Sequence, residues 1–548
     1  MTQKNAAATS RGASPSNNAS ACDVVVVGAG FAGLYQVHRL TKAGYKVRAF
    51  DKAPGVGGTW YWNRYPGARC DIESLTYSYS FDSDLQREWK WPQRYAEQPD
   101  ILRYIEHVAD RFDLRKHYSF GTSVESAVFD ESAGRWKIRT SSGEEVSTQF
   151  FVMATGCLSK PLEPKFKGLE QFKGERYFTS RWPHEKVSFT GKRVGVIGTG
   201  SSSIQASPLI AKEAEKMFVF QRTPQFAIPA WNRAMSDEEM RSAQENYDEI
   251  RRLVRQSEVG IAYEGPTIGA KQADAEALEK QLDFAWKRGG YLMLASYPDL
   301  VTDLESNEIV SNWVKNKIRE RIKDPKTADK LMPQYPMGAK RLCVDTNYFE
   351  TFNRDNVTLV DLRESGIESF TAKGIRMEDG TEYELDAVVF ATGFDAMTGA
   401  LLAFDIKGRK GQSLRDKWQE GTKNYLGVTV SGFPNMFMIT GPGSPSVLYN
   451  MVSSIEQNVD FVFDTIEHLR KNGYASIEAQ EREENAWTKY VVWISKQTIY
   501  TKVKSWYTGG NVAGKPVGFM PYAGGGLTYF EYVRQVVEDG YRGFSLSA

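Results

Sequence analysis

The chain has 548 residues, 41% of them hydrophobic, and no apolar run near the roughly eighteen residues that cross a bilayer. Lysine plus arginine number 69 and aspartate plus glutamate 68, a formal charge of +1 without a long basic block, which argues against a membrane anchor or a nucleic-acid partner. The cysteines Cys22, Cys70, Cys157 and Cys343 form no CxxC pair and the histidines show no ligand spacing, so no metal or redox dithiol is expected, and reduced thiols suit a cytoplasmic, multidomain protein.

Residues 1–20, rich in Ser, Asn, Ala and Thr and lacking an apolar h-region, read as a disordered tail. Next comes the apolar strand Asp23–Val27, the turn Gly28-Ala29-Gly30-Phe31-Ala32-Gly33, and a helical stretch with Leu34, Val37 and Leu40 on one face that ends at Gly44. Glycines let this turn approach a pyrophosphate, whose charge rests on the amides and dipole of the helix N-terminus. A second strand, Lys46–Phe50, delivers Asp51 where an acid accepts hydrogen bonds from ribose hydroxyls.

The unit recurs at Gly198-Thr199-Gly200-Ser201-Ser202-Ser203, with Ser203 in place of the third glycine. Its second strand, Met217–Phe220, delivers Gln221-Arg222-Thr223 instead of an acid, and an arginine there suits a 2′-phosphate, hence NADP. Between about Ala230 and Pro336 the period turns helical: Ser236 and Glu239 form a capping-box pattern, and Met240, Ala243, Tyr247, Ile250 and Val254 recur at three and four. A stretch with Leu278, Leu282 and Ala285 stops at Gly289, and one with Val314, Ile318 and Ile322 stops before Pro325. The strands Phe150–Met153 and Asp386–Phe390 both run into Ala-Thr-Gly, one after each nucleotide unit.

Gly57-Gly58-Thr59-Trp60 and Tyr65-Pro66-Gly67-Ala68-Arg69-Cys70-Asp71 fit the pattern GGxWxxxxYPGxxxD, and Gly338-Ala339-Lys340-Arg341, Gly441–Ser446 and Ser505–Gly509 are further matches. On these segments the chain resembles the Baeyer–Villiger monooxygenases, over nearly its whole length after the tail. The resemblance implies an α/β fold with two Rossmann-like dinucleotide-binding domains and a helical insertion. The FAD domain would take 21–157 and 388–548, the NADPH domain 158–229 and 336–387, and the insertion 230–335. It also implies that NADPH reduces FAD, dioxygen adds at the flavin C4a, and the peroxide attacks a ketone to give an ester or lactone. One departure stands out: the family's FxGxxxHxxxWP aligns with Phe172, Gly174, Trp182 and Pro183, but Phe178 occupies the histidine position and His184 lies six residues on.

By the same resemblance, FAD contacts fall on Gly28, Gly30, Ala32, Gly33, Asp51, Gly58, Thr59, Trp60, Trp62, Asp71, Tyr77, Val124 and Met451. Those to NADP fall on Arg69, Gly198, Thr199, Gly200, Ser201, Ser202, Ser203, Gln205, Arg222, Thr223, Lys340, Arg341 and Trp506, with Trp506 on a covering loop. Arg341 and Asp71 are the catalytic pair, the arginine supplying a permanent positive charge and a planar fork of donors. Ser444, Val447 and Leu448, with Tyr449, would shape the ketone pocket of a monomer. Three alternatives stand beside this: a disulfide reductase, which lacks its paired cysteines; a flavin monooxygenase acting on S or N; and an NADPH oxidase or binding module uncoupled by Phe178.

Overall fold

A computed structural model of the chain describes residues 20–548; the expected tail lies outside them except for Ser20, which opens the first strand instead. Strand β1 (Ser20–Val27), helix Phe31–Lys42 and β2 (Val47–Phe50) make the first nucleotide unit, with β1 and β2 parallel. Val24, Val25 and Val26 are wholly buried, as a central strand covered on both faces requires. β3 (Tyr118–Ser119) extends the sheet beyond β2, while β4 (Val124–Asp130), β5 (Arg135–Thr140) and β6 (Glu145–Met153) form an antiparallel meander that returns parallel to β1.

The chain then leaves for a second sheet. β7 (Glu175–Phe178), β8 (Arg193–Ile197) and β9 (Lys216–Gln221) are followed by β10 (Ala227–Pro229), which pairs outside it with β11 (Cys343–Asp345). After β12 (Val357–Asp361), a small antiparallel sheet of β13 (Ile367–Phe370), β14 (Gly374–Met377) and β15 (Glu382–Glu384) leads to β16 (Ala387–Phe390). The second sheet runs β12-β9-β8-β16-β7, parallel throughout. The domain crossing expected between residues 387 and 388 therefore needs correction: all of β16 pairs with β8 and β7, so the chain returns after Phe390. β17 (Asp405–Lys407) and β18 (Met436–Met438) then join the first sheet, ordered β17-β4-β5-β6-β1-β2-β3 with β18 beside β6.

Helices occupy the region expected for an insertion, with two corrections. The single period through Met240 and Val254 is split at Asn246 into helices Asp237–Glu245 and Tyr247–Gln256, although the Ser236–Glu239 capping box forms. Helix Leu304–Arg319 ends before Ile322, because Asp324 caps a new helix, Pro325–Leu331, whose proline takes a first-turn position where no amide is needed. Leu282, Ala285, Val310 and Val314 pack into one core with Val194 and Val196 of β8. On its other side the insertion grips the first unit: buried Arg251 donates to Ser78 Oγ (2.8 Å) and Tyr79 O (3.2 Å), and Tyr449 Oη donates to Val254 O (2.6 Å). The insertion thus spans both nucleotide units.

Phe178 ends β7, paired with Phe390 of β16. Their rings stack at 5.0 Å and 18°, and the Arg181 guanidinium lies 5.2 Å from the Phe178 ring centre. This is apolar packing with a cation on its outer face. Phe178→His is accordingly expected to lower stability by about 1 kcal/mol in denaturant unfolding; an unchanged or raised unfolding midpoint would contradict the packing role.

Candidate active site

The two fingerprints close by the same contact. Gly28 (φ +116°) and Gly198 (φ +112°) each lie against the carbonyl of a strand end, where a Cβ would sit 2.3 Å from Ala154 O and 2.5 Å from Ala391 O. Those carbonyls belong to the two Ala-Thr-Gly segments, so each corner completes the loop that precedes it in the chain. Thr199 Oγ1 donates to Thr223 O (2.6 Å), tying the second loop to the end of β9. Asp51 accepts from Ala29 N (2.6 Å) and Ala53 N (2.7 Å), and a carboxylate with about four lone-pair sites keeps acceptor capacity for hydroxyls. Across the first loop, a Cβ on Gly58 would meet Gly30 Cα at 2.8 Å, so the Gly57-Gly58 turn can close on the fingerprint only as glycine.

The segment ending at Asp71 reaches the second unit through Gln205 on helix Ser201–Glu213. Gln205 Oε1 accepts from Tyr65 Oη (2.7 Å), and its Nε2 donates to Arg69 O (3.1 Å) and Asp71 Oδ1 (3.4 Å). Arg341 Nε donates to Asp71 Oδ2 at 3.4 Å, its Nη1 donates to Val447 O at 2.8 Å, and its guanidinium carbon lies 5.0 Å from the Tyr291 ring centre. A charge-assisted bond is usually about 2.7–2.9 Å, so Asp71 guides the guanidinium without locking it. Burial opposes the Arg341 charge, but Tyr291 and Asp71 outweigh it and hold the group above its ordinary range. Burial raises the Asp71 carboxyl, and Arg341 pulls it back only in part.

Lys340 and Arg222 form the second cationic feature. Burial first, and Arg222 next, push the Lys340 ammonium below its ordinary value, and neither cation has an ion-pair partner among the described residues. Two adjacent cations without a carboxylate suit a multiply charged anion.

One cavity of about 1800 Å³ joins both loops, Asp51, Lys340, Arg222 and the Arg341–Asp71 pair. Single-ligand pockets run to about 300–1,000 Å³, so this one has room for two dinucleotides. Ala32, Thr59, Trp60, Trp62, Arg69, Tyr77, Val124, Ser201, Ser202, Gln205, Thr223, Met451 and Trp506 all line it. Four expected residues do not. Gly33 and Ser203 stand behind their loops, Gly33 against Gly28 O and Ser203 wholly buried facing Ser207. Ser444 is buried with its hydroxyl donated to Gly441 O (2.7 Å), and Leu448 packs behind the lining, against the apolar cluster that holds Val447, so that Val447 and Tyr449 are the residues of this turn on the wall. The sequence offered no sign of Tyr291, fifty positions before Arg341 on another element, nor of the Val447 carbonyl, which any residue would supply.

The family described as FMO-like, flavin-binding monooxygenase-like, matches residues 21–236. A Baeyer-Villiger monooxygenase of Pseudooceanicola batsensis is 43% identical over 522 residues, 95% of each chain. This chain belongs to the Baeyer–Villiger monooxygenases. Cyclohexanone 1,2-monooxygenase of an Acinetobacter species is 41% identical over 96% of each chain, and a steroid monooxygenase bound to NADP superposes with a TM-score of 0.93 at 47% identity, covering 96% of this chain and all of that one. In family terms, the Arg341–Asp71 pair stands at the junction of a flavoprotein's two nucleotide units. The cysteines are all free and buried, no three His, Cys, Asp or Glu among the described residues are placed to hold a metal, and no described helix is long and apolar enough to cross a membrane.

Proposed function

We propose that the loop at Gly28 holds FAD, the loop at Gly198 holds NADPH, and Arg341 faces a ketone between them, the chain working as a cytoplasmic monomer. The reaction consumes NADPH and dioxygen and inserts one oxygen beside the ketone carbonyl, giving an ester or lactone. Bound FAD supplies the oxygen-transfer chemistry and bound NADPH its electrons. Asp51 fits a ribose, and Lys340 with Arg222 and Thr223 fits a 2′-phosphate.

The observation that carries the reading is Arg341 in the wall of the shared cavity, fixed by Val447 O and Tyr291 and guided by Asp71. Its fork is placed to meet negative charge that grows on the carbonyl oxygen as the carbon becomes tetrahedral. Trp506 roofs the nicotinamide side, and Val447 and Tyr449 limit the shape of the ketone.

A ketone panel tests this. NADPH consumption, ester and hydrogen peroxide are followed with and without aromatic, cyclic, linear and steroid ketones, and consumption is expected to rise with one class and match ester formed. Ketone-independent consumption with stoichiometric peroxide and no ester would overturn it.

A further inference from the structure

Lys340 sits over an aromatic ring. Its Nζ lies 4.9 Å from the ring centre of Tyr335, which also lines the nucleotide cavity, five residues earlier in the same loop. The ring is itself held at two points: Tyr335 Oη donates to Gln225 Oε1 at 2.6 Å, and Phe226 meets it edge-on at 5.7 Å. Gln225 and Phe226 follow Arg222 and Thr223 after a single proline, Pro224, so one short stretch after β9 carries both Arg222 and the groups that orient Tyr335. A long lysine side chain is otherwise free to turn toward solvent, away from Arg222, whose like charge repels it.

We propose that Tyr335 is a specificity-determining positioning residue, whose ring holds the Lys340 ammonium beside Arg222 so that both cations converge on a 2′-phosphate. The inference rests on the reading that the Gly198 loop takes NADPH. Tyr335 does not need to touch the nucleotide: it acts by keeping a mobile, repelled cation in place. Its contribution should therefore appear with a 2′-phosphate and vanish without one.

The test measures dissociation constants of NADP⁺, NAD⁺ and 2′,5′-ADP from the oxidised FAD-loaded protein. Tyr335→Leu removes the ring, and the NADP⁺ and 2′,5′-ADP constants are expected to rise about 3- to 30-fold, the span of one partly desolvated cation–π contact, with NAD⁺ unchanged. Tyr335→Phe keeps the ring and should keep most of the preference. In a Lys340→Ala background, Tyr335→Leu should add nothing, because the group it positions is gone. Equal weakening of NADP⁺ and NAD⁺, or additive losses in the double variant, would overturn the inference. A parent protein that binds NAD⁺ as well as NADP⁺ would instead overturn the reading on which it rests.

Discussion

Arg341→Ala is expected to cut ester formation by about 10²–10³-fold, the usual cost of removing one preorganised donor to a developing negative charge. Flavin content should stay close to the parent's, and NADP⁺ binding should weaken far less than ester formation does, since Lys340 and Arg222 remain. Arg341→Lys keeps a charge but loses the planar fork that reaches Val447 O and Asp71 together. It should recover only part of the rate. The pH profile carries a second signature. Because burial raises the Asp71 carboxyl, it takes up a proton at higher pH than an exposed aspartate, near 3.9, and Arg341 then loses its counter-charge. The rate should fall on the acid side through that raised value, and Asp71→Asn should be slow and lack this limb. Ester formation by Arg341→Ala at the parent rate would remove the arginine from the mechanism.

The largest effect on cofactor occupancy is expected at the twin corners. Gly198→Ala places a Cβ 2.5 Å from Ala391 O at φ +112°, which must open the second loop. Strain of this kind costs about 1–3 kcal/mol per residue, so NADP⁺ affinity should drop about 10–100-fold while the purified protein stays yellow. Gly28→Ala does the same at the first loop, against Ala154 O at 2.3 Å. That variant should purify depleted of flavin. Absorbance at the flavin band and NADP⁺ titration check both, and a protein in which each substitution removed both cofactors alike would contradict two separate sites.

The nucleotide units were readable from sequence because their signals are local. A glycine turn between an apolar strand and a helix spans about twenty residues, and Asp51 and Arg222 each follow within one further strand. The corners were half legible: both Ala-Thr-Gly segments stood out, but not that Gly28 and Gly198 lie against them, since that contact joins distant strands. Elements failed where one residue broke a period, as at Asn246 and after Arg319, where Asp324 and Pro325 begin a helix better than they continue one. Ser444 and Leu448 were placed on the ketone pocket by motif, but a motif does not say which way a side chain faces in a tight turn. The Tyr291 ring under Arg341 was invisible because it arrives from the insertion, where its spacing is only that of a core aromatic.

The corner contacts also set an order for how the protein is made. The loop at Gly28 is finished once Ala154 has left the ribosome, whereas the loop at Gly198 must wait for Ala391, after the whole helical insertion. Domains fold as units during synthesis, N-terminal first. The first cofactor loop can therefore close on the nascent chain before the second, whereas the wall around it is finished only when β17, β18 and Met451 follow Ala391.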